Sequence, residues 1–378
     1  MPPHTEERMK QLSSAARTPP YSPAPPPQLN HLPQSRHGTI GAMTARADAI
    51  DKHQDRSSRN LAFIDASQAA GAQSWVPIIY RQISPGQFHG RMDIVDFGDL
   101  TLVHEQHHQS VNKSGALPPG QCTLSFIDRG HHDARFSQFV IAGEDLAFFQ
   151  PEQHEFDILM PGGHTNSYAR IDQNALIRDL HILDAALADR LGASRSLQSL
   201  GTVGKARLER VMHQILTVGK APGTGRGGAD PAGLHAILKE QILLAITASG
   251  PWHSGDAPYL HGRRRAWRTA RAAREFMEDC LNRGITPGMV DLCAHLHVSE
   301  RTLRYVFNEQ MGCPPATYLR RLRLNGARAE LLDPGAATTS VTAVATRWGF
   351  LQMGHFSRDY RALFHEKPSL TLARALSV

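Results

Sequence analysis

Between Trp75 and Met160 the apolar residues come in short runs broken by Gly, Pro and Asp. The runs are Val76–Tyr80, Met92–Val95, Leu100–Val103, Cys122–Ile127, Asp145–Phe149 and Phe156–Leu159. Runs this short at this spacing predict the strands of a sandwich or small barrel. The period then changes. Leu176, Leu180, Leu183, Leu187 and Leu191 recur at steps of three and four and stop at Gly192, which predicts one amphipathic helix. A second helix is predicted from Lys205 to Val218, with Leu208, Val211, Met212 and Ile215 on one face. A third begins at Asp230-Pro231, an N-cap followed by a proline in the first helical position, and ends at Gly250-Pro251. Its stripe holds Leu234, Ile237, Leu238, Gln241, Ile242 and Ala245. Such stripes serve either to complete the core of the strand domain or to pair two subunits.

From Thr286 to Gly312 the pattern is helix, turn, helix. Pro287 opens a short helix with Val290, Leu292, Cys293 and Ala294, and His295–Val298 makes the turn. Ser299 is placed to cap a second helix, with Leu303 and Phe307 four apart on its core face. Arg301, Arg304, Tyr305 and Asn308 share the opposite face. An exposed stripe of this kind suits a DNA groove, because Arg and Asn form paired hydrogen bonds to guanine and adenine edges. A solvated helix face gives the same stripe, so one copy alone does not decide. A second copy follows. Val341, Val344 and Ala345 start a helix that stops at Trp348-Gly349-Phe350, and Met353 to Phe364 forms the next, with Phe356 and Tyr360 inward. Met353, Ser357 and Arg358 lie towards the other side. Pro315 to Leu332 predicts one continuous connecting helix of about 27 Å. That is close to the ~34 Å between successive major-groove faces on one side of B-DNA.

Charge sharpens this picture. The chain carries a net charge of +6, and from Arg263 onward 18 basic residues face 10 acidic ones, while the remainder holds 23 basic and 25 acidic. The positive excess sits where the two helix-turn-helix units lie, as phosphate binding requires. Nine of the 24 prolines fall between Pro2 and Pro33, and the first 60 residues are expected to be a disordered tail. Met43 offers an alternative start. Four cysteines, Cys122, Cys280, Cys293 and Cys313, are too few and too scattered for a disulfide framework or a CxxC metal site. No signal peptide or membrane span is evident, and a cytoplasmic location is expected.

The run Leu292-Cys293, Val298–Leu303, Gly312, Pro315, Tyr318–Leu324 and Ala327-Arg328 resembles the AraC/XylS family. So do Trp348-Gly349-Phe350, His355–Tyr360, Phe364 and Pro368-Ser369. The resemblance covers about Arg265 to Leu372. It implies base-facing positions at Arg301, Arg304 and Tyr305 in the first unit, and at Met353, Gly354, Ser357 and Arg358 in the second. Met and Gly make no paired base contacts, so the second unit is expected to read methyl groups or shape, or mainly to grip phosphate. His365 departs from the family, which usually has glycine there. More loosely, Arg81–Arg91 is similar to the subgroup containing the ethanolamine-utilisation regulator. The resemblance implies a cupin-like sensor barrel with dimerising helices, and it implies no particular ligand.

Two motifs are set against plainer readings. Gly223–Gly228 matches GxGxxG, yet a dinucleotide site needs a strand before it, and here a predicted helix precedes it, so it is read as a loop. Histidines abound at His104, His107, His108, His131, His132, His154 and His164. The His-x-His pair that puts two imidazoles on one strand face is missing, because adjacent residues point to opposite faces. No metal and no cofactor are therefore expected. A DNA-repair methyltransferase would need a zinc-binding cysteine set that the chain lacks.

The expected fold is α+β: residues 61–170 a cupin-like β-barrel sensor, 171–255 a helical dimerisation or linker region, and 262–378 an all-α tandem helix-turn-helix domain. The expected function is that of a DNA-binding transcriptional regulator, not an enzyme. It would activate an operon in response to a small-molecule effector, with double-stranded DNA, RNA polymerase and a second copy of the chain as partners. The rival class is a cupin-type metalloenzyme fused to a DNA-binding module.

Overall fold

The computed structural model describes residues 58–129, 134–141, 145–193, 195–219, 230–248, 253–254, 261–333 and 340–376. Most of the expected tail, the GxGxxG run, His131 and His132 lie outside these residues. Ser58–Asn60, assigned above to the tail, instead begin the first strand.

The strands are β1 (Ser58–Phe63), β2 (Ile78–Gln82), β3 (Gly90–Asp96), β4 (Leu100–His107), β5 (Val111–Ala116), β6 (Gln121–Arg129) and β7 (Arg135–Phe136). They continue with β8 (Phe139–Val140), β9 (Leu146–Gln150), β10 (Glu155–Met160), β11 (Thr165–Asp172), β12 (Ser196–Ser199) and β13 (His253–Ser254). A short helix α1 (Ala66–Gly71) follows β1. Eight strands form one sheet in the order β1-β3-β4-β11-β6-β9-β12-β13, and five form a second in the order β2-β5-β10-β7-β8. No ladder joins the two sheets among the described residues, so the cupin-like domain is a sandwich of two open sheets, not a closed barrel.

The larger sheet is buried on both faces, which explains its unbroken apolar runs. In β9, Phe148 enters the core between the sheets while Phe149 enters a core on the other side. Leu102 and Val103 of β4 divide in the same way, as do Ala169 and Tyr168 of β11. The outer core is closed by α2 (Gln173–Leu183), α3 (Ala185–Ala193), α4 (Gly201–Gly219) and α5 (Pro231–Thr247). The single helix expected over Leu176–Leu191 is two. Asp184 takes an extended conformation (φ −156°, ψ 95°), ends α2, and caps α3 by accepting from the Leu187 N–H at 2.9 Å. Asp230 caps α5, with Pro231 as its first residue. The region 171–255 also contributes β12 and β13 to the larger sheet, so it is not purely helical.

The C-terminal part comprises α6 (His261–Asn282), α7 (Met289–Leu296), α8 (Glu300–Met311), α9 (Pro315–Leu331), α10 (Val341–Arg347), α11 (Met353–Phe364) and α12 (Pro368–Leu376). Two separate cores hold it. One joins α6, α7, α8 and the first half of α9, and the other joins the second half of α9 with α10 and α11.

The smaller sheet holds this helical part against the sandwich. Asp157 of β10 pairs with Arg274 of α6, and both are 7% exposed. Tyr318 of α9 donates from its hydroxyl to Asn112 Oδ1 of β5 at 3.0 Å. Asn325 of α9 and Gln82 of β2 exchange hydrogen bonds at 3.0 and 2.9 Å. Arg328, buried in α9, pairs with Asp65, the N-cap of α1, and with Glu366.

Candidate DNA interface and sensor cavity

The first unit is assembled by local rules. His297 takes the left-handed conformation (φ 53°) in the turn after α7. Ser299 then accepts from the Thr302 N–H at 3.1 Å and starts α8, which Gly312 ends at φ 65°. Leu303, Val306, Phe307 and Met311 are buried, with the Phe307 ring edge-on to Tyr318 at 5.6 Å. Those contacts fix the rotation of α8. Arg301, Arg304, Tyr305 and Asn308 are all exposed on its other side. Arg304 is held by Glu300 one turn earlier at 2.8 Å, and Tyr305 is 68% exposed.

The second unit repeats the plan with different caps. Ser340 accepts from the Ala343 N–H at 3.1 Å to start α10, and Gly349 turns the chain at φ 74°. Phe356, Tyr360, Leu363 and Phe364 anchor α11. Gly354, Ser357 and Arg358 are exposed, whereas Met353 is half-buried and packs against the second core. The two candidate faces therefore lie on separate cores joined by α9. At 17 residues α9 is about 25 Å long.

The histidines do not converge. His107 is buried between Tyr80 and Phe88, while its neighbour His108 is exposed against His89. Among the described residues no group of three His, Cys, Asp or Glu side chains is placed to hold a metal.

Between the two sheets lies a cavity of about 50 Å³. Its described walls include Trp75, Ile78, Phe136, Phe148, Phe156 and Ile158, and at one end Lys113 pairs with Glu105. Burial pulls the Lys113 ammonium well below the usual lysine range. Tyr80 also donates to Glu105, at 2.8 Å. Sequence reasoning missed these residues. The available signal was phase: Glu105 sits between Val103 and His107, an inward position that a strand otherwise gives to apolar side chains.

Two exposed faces, each carried on the second helix of a helix-turn-helix unit, are the arrangement of a DNA-binding domain. A family model described as "Helix-turn-helix domain" matches residues 292–374. The chain is 38% identical over 98 residues to the XylDLEGF operon transcriptional activator of Pseudomonas putida, covering 26% of this chain and 30% of that protein. It is 34% identical over 104 residues to the regulatory protein HrpB of Ralstonia nicotianae, covering 28% of this chain and 21% of that one. The chain thus spans a fifth to a third of the length of these relatives. The solved AraC-like transcriptional activator CuxR aligns with 72% of this chain and 96% of its own at 16% identity and a TM-score of 0.37. Residues 292–374 thus form a helix-turn-helix domain similar to those of these transcriptional regulators.

Proposed function

We propose that the chain is an effector-responsive transcriptional activator that sets α8 and α11 into successive major-groove segments of one operator. The observation that supports this most is the pair of exposed faces on two rigid cores linked by one continuous helix. In the first unit Arg301, Arg304, Tyr305 and Asn308 read bases, Arg and Asn through paired hydrogen bonds. In the second, Ser357 and Arg358 contact the backbone or a base edge, and Met353 with Gly354 reads methyl groups and shape. The sandwich cavity is the effector site, and its occupancy is passed to the helical part through the smaller sheet. A homodimer is supported by Ile237 and Leu244, seven residues apart on α5 and 48% and 39% exposed. RNA polymerase is the downstream partner.

Selection of binding sites from random DNA tests the base-reading assignment. Arg304→Ala is expected to lose about 1–3 kcal/mol of specific binding and to relax preference at one base pair. Arg321→Ala, on the connecting helix, is expected to leave preference unchanged. Unaltered preference with Arg304→Ala would show that the recognition face is wrongly assigned.

A further inference from the structure

The polar end of the sandwich cavity has a composition that selects its guest, given the reading above that the cavity is the effector site. Glu105 is 1% exposed and saturated: it pairs with Lys113, and it accepts from the Tyr80 hydroxyl at 2.8 Å and from Asn166 Nδ2 at 3.2 Å. Lys113, 2% exposed, is not saturated. Its ammonium has three donors, and Glu105 is its one hydrogen-bond acceptor among the described residues. Asn166 is 5% exposed, and the bond from its amide nitrogen to Glu105 fixes which way the amide faces. Its Oδ1 is left buried without a partner. A free cationic donor and a free acceptor thus stand side by side, both bonded to the same carboxylate oxygen. Such buried groups cost free energy until something bonds them.

We infer that the cavity takes an uncharged ligand, an apolar body with one polar head that both accepts and donates, such as a hydroxyl or a primary amide. The head accepts from Lys113 and donates to Asn166 Oδ1, and the body lies against the aromatic walls. Charge decides against the alternatives. A carboxylate head would compete with Glu105 for the lysine in the lining and leave one buried negative charge uncompensated. An ammonium head would meet the same carboxylate already held by Lys113, Tyr80 and Asn166. Either outcome is a buried unpaired charge, which protein interiors tolerate poorly.

Size adds a condition. The cavity of about 50 Å³ compares with the roughly 150 Å³ that admits benzene, so a ring-sized guest must move the walls apart. One wall is formed by β2 and β5; on the other face of β5 Asn112 meets Tyr318, and at the edge of β2 the backbone of Gln82 meets Asn325, so both strands touch the helical part.

The test uses the full chain and four probes of one shape: benzyl alcohol, benzamide, benzoate and benzylammonium. Calorimetric titration is expected to show the two neutral probes binding at least about tenfold more tightly than either ion, the order that an unpaired buried charge imposes. In Glu105→Gln the lysine has lost its counter-charge, and benzoate, which restores one and favours the ammonium form, is expected to become the tightest of the four. The wild-type series decides alone if that variant does not fold. Tightest binding of benzoate or benzylammonium to the wild type overturns the ligand class and leaves the cavity as the sensor. No binding of any probe, or neutral binding that persists when Ser125→Phe fills the cavity, overturns the cavity as the effector site.

Discussion

Gly326 lies in the middle of α9, where glycine costs a helix about 1 kcal/mol relative to alanine. On propensity alone Gly326→Ala would stabilise the protein. The structure predicts the reverse. A Cβ at this position would stand 2.1 Å from Trp348 Cη2 and 2.3 Å from Cζ2 and Cζ3. Carbon atoms in contact sit about 3.5–4.0 Å apart, so the indole has to retreat by more than about 1 Å. It is not free to do so without loss. Its Nε1 donates to Glu330 at 2.9 Å, and its backbone carbonyl accepts from Arg323 Nε at 2.7 Å. Overpacking costs about 1–3 kcal/mol and a lost hydrogen bond about 1 kcal/mol, against a gain in helix propensity of about 1 kcal/mol. The expected result is a net loss of about 1–3 kcal/mol. Trp348 packs in the second core, so the damage should be local to α10 and α11. Urea unfolding of the full chain should show a lower midpoint. Binding to operators mutated in one half should show that contacts of the second unit weaken while those of the first persist. An unchanged or higher midpoint would refute the reasoning, because it would mean the indole leaves its seat at no cost.

Two further predictions concern histidines. His365 ends α11 in the left-handed region (φ 52°, ψ 27°), where the first unit has Gly312, so His365→Gly is expected to raise stability by up to about 1 kcal/mol. A lower urea midpoint for that variant would mean the imidazole makes a contact worth more than the strain. Burial holds the His107 imidazole down to about 4, whereas an unfolded chain takes up its proton near about 6.5. Between those values the unfolded state binds more protons, so stability falls as the pH drops through that window and levels off below it. The total is about 3 kcal/mol. His107→Leu should remove this part of the acid slope, and equal slopes in the two proteins would show that His107 is not its source.

The helix-turn-helix units were legible because each of their features is local. Ser299 and Thr302, Leu303 and Phe307, and Phe356 and Tyr360 lie within four residues of one another, so cap, core face and exposed face can be counted along the chain. The break at Asp184 was not legible. Leu183 and Leu187 keep the helical step across it, and only the competing side-chain bond from Asp184 to Leu187 N–H ends one helix and starts the next. The helix α6 was overlooked for a different reason. Its buried stripe is Ala266, Ala270, Ala273 and Met277, small residues that carry little hydrophobic signal among six arginines. Strand β5 escaped because Asn112, Lys113 and Ser114 interrupt its apolar pattern, although all three are buried.

Those buried polar residues of β5 and β10 show why the link between the two halves was invisible in the sequence. Adjacent strand residues face opposite ways, so Lys113 enters the cavity while Asn112 meets Tyr318 of the connecting helix. Asp157 likewise faces Arg274, while Ile158 next to it lines the cavity. For Asn112 and Asp157 a partner more than a hundred residues away supplies the reason for the polar side chain, and no local period records it. Buried ion pairs of this kind add little net stability compared with a well-packed apolar contact, yet removing one partner is costly. Losing one partner of the Asp157–Arg274 or Asp65–Arg328 pair would therefore leave a buried charge unpaired at the junction of the helical part and the sandwich. The smaller sheet thus has the cavity on one face and the contacts of Asn112 and Asp157 with the helical part on the other.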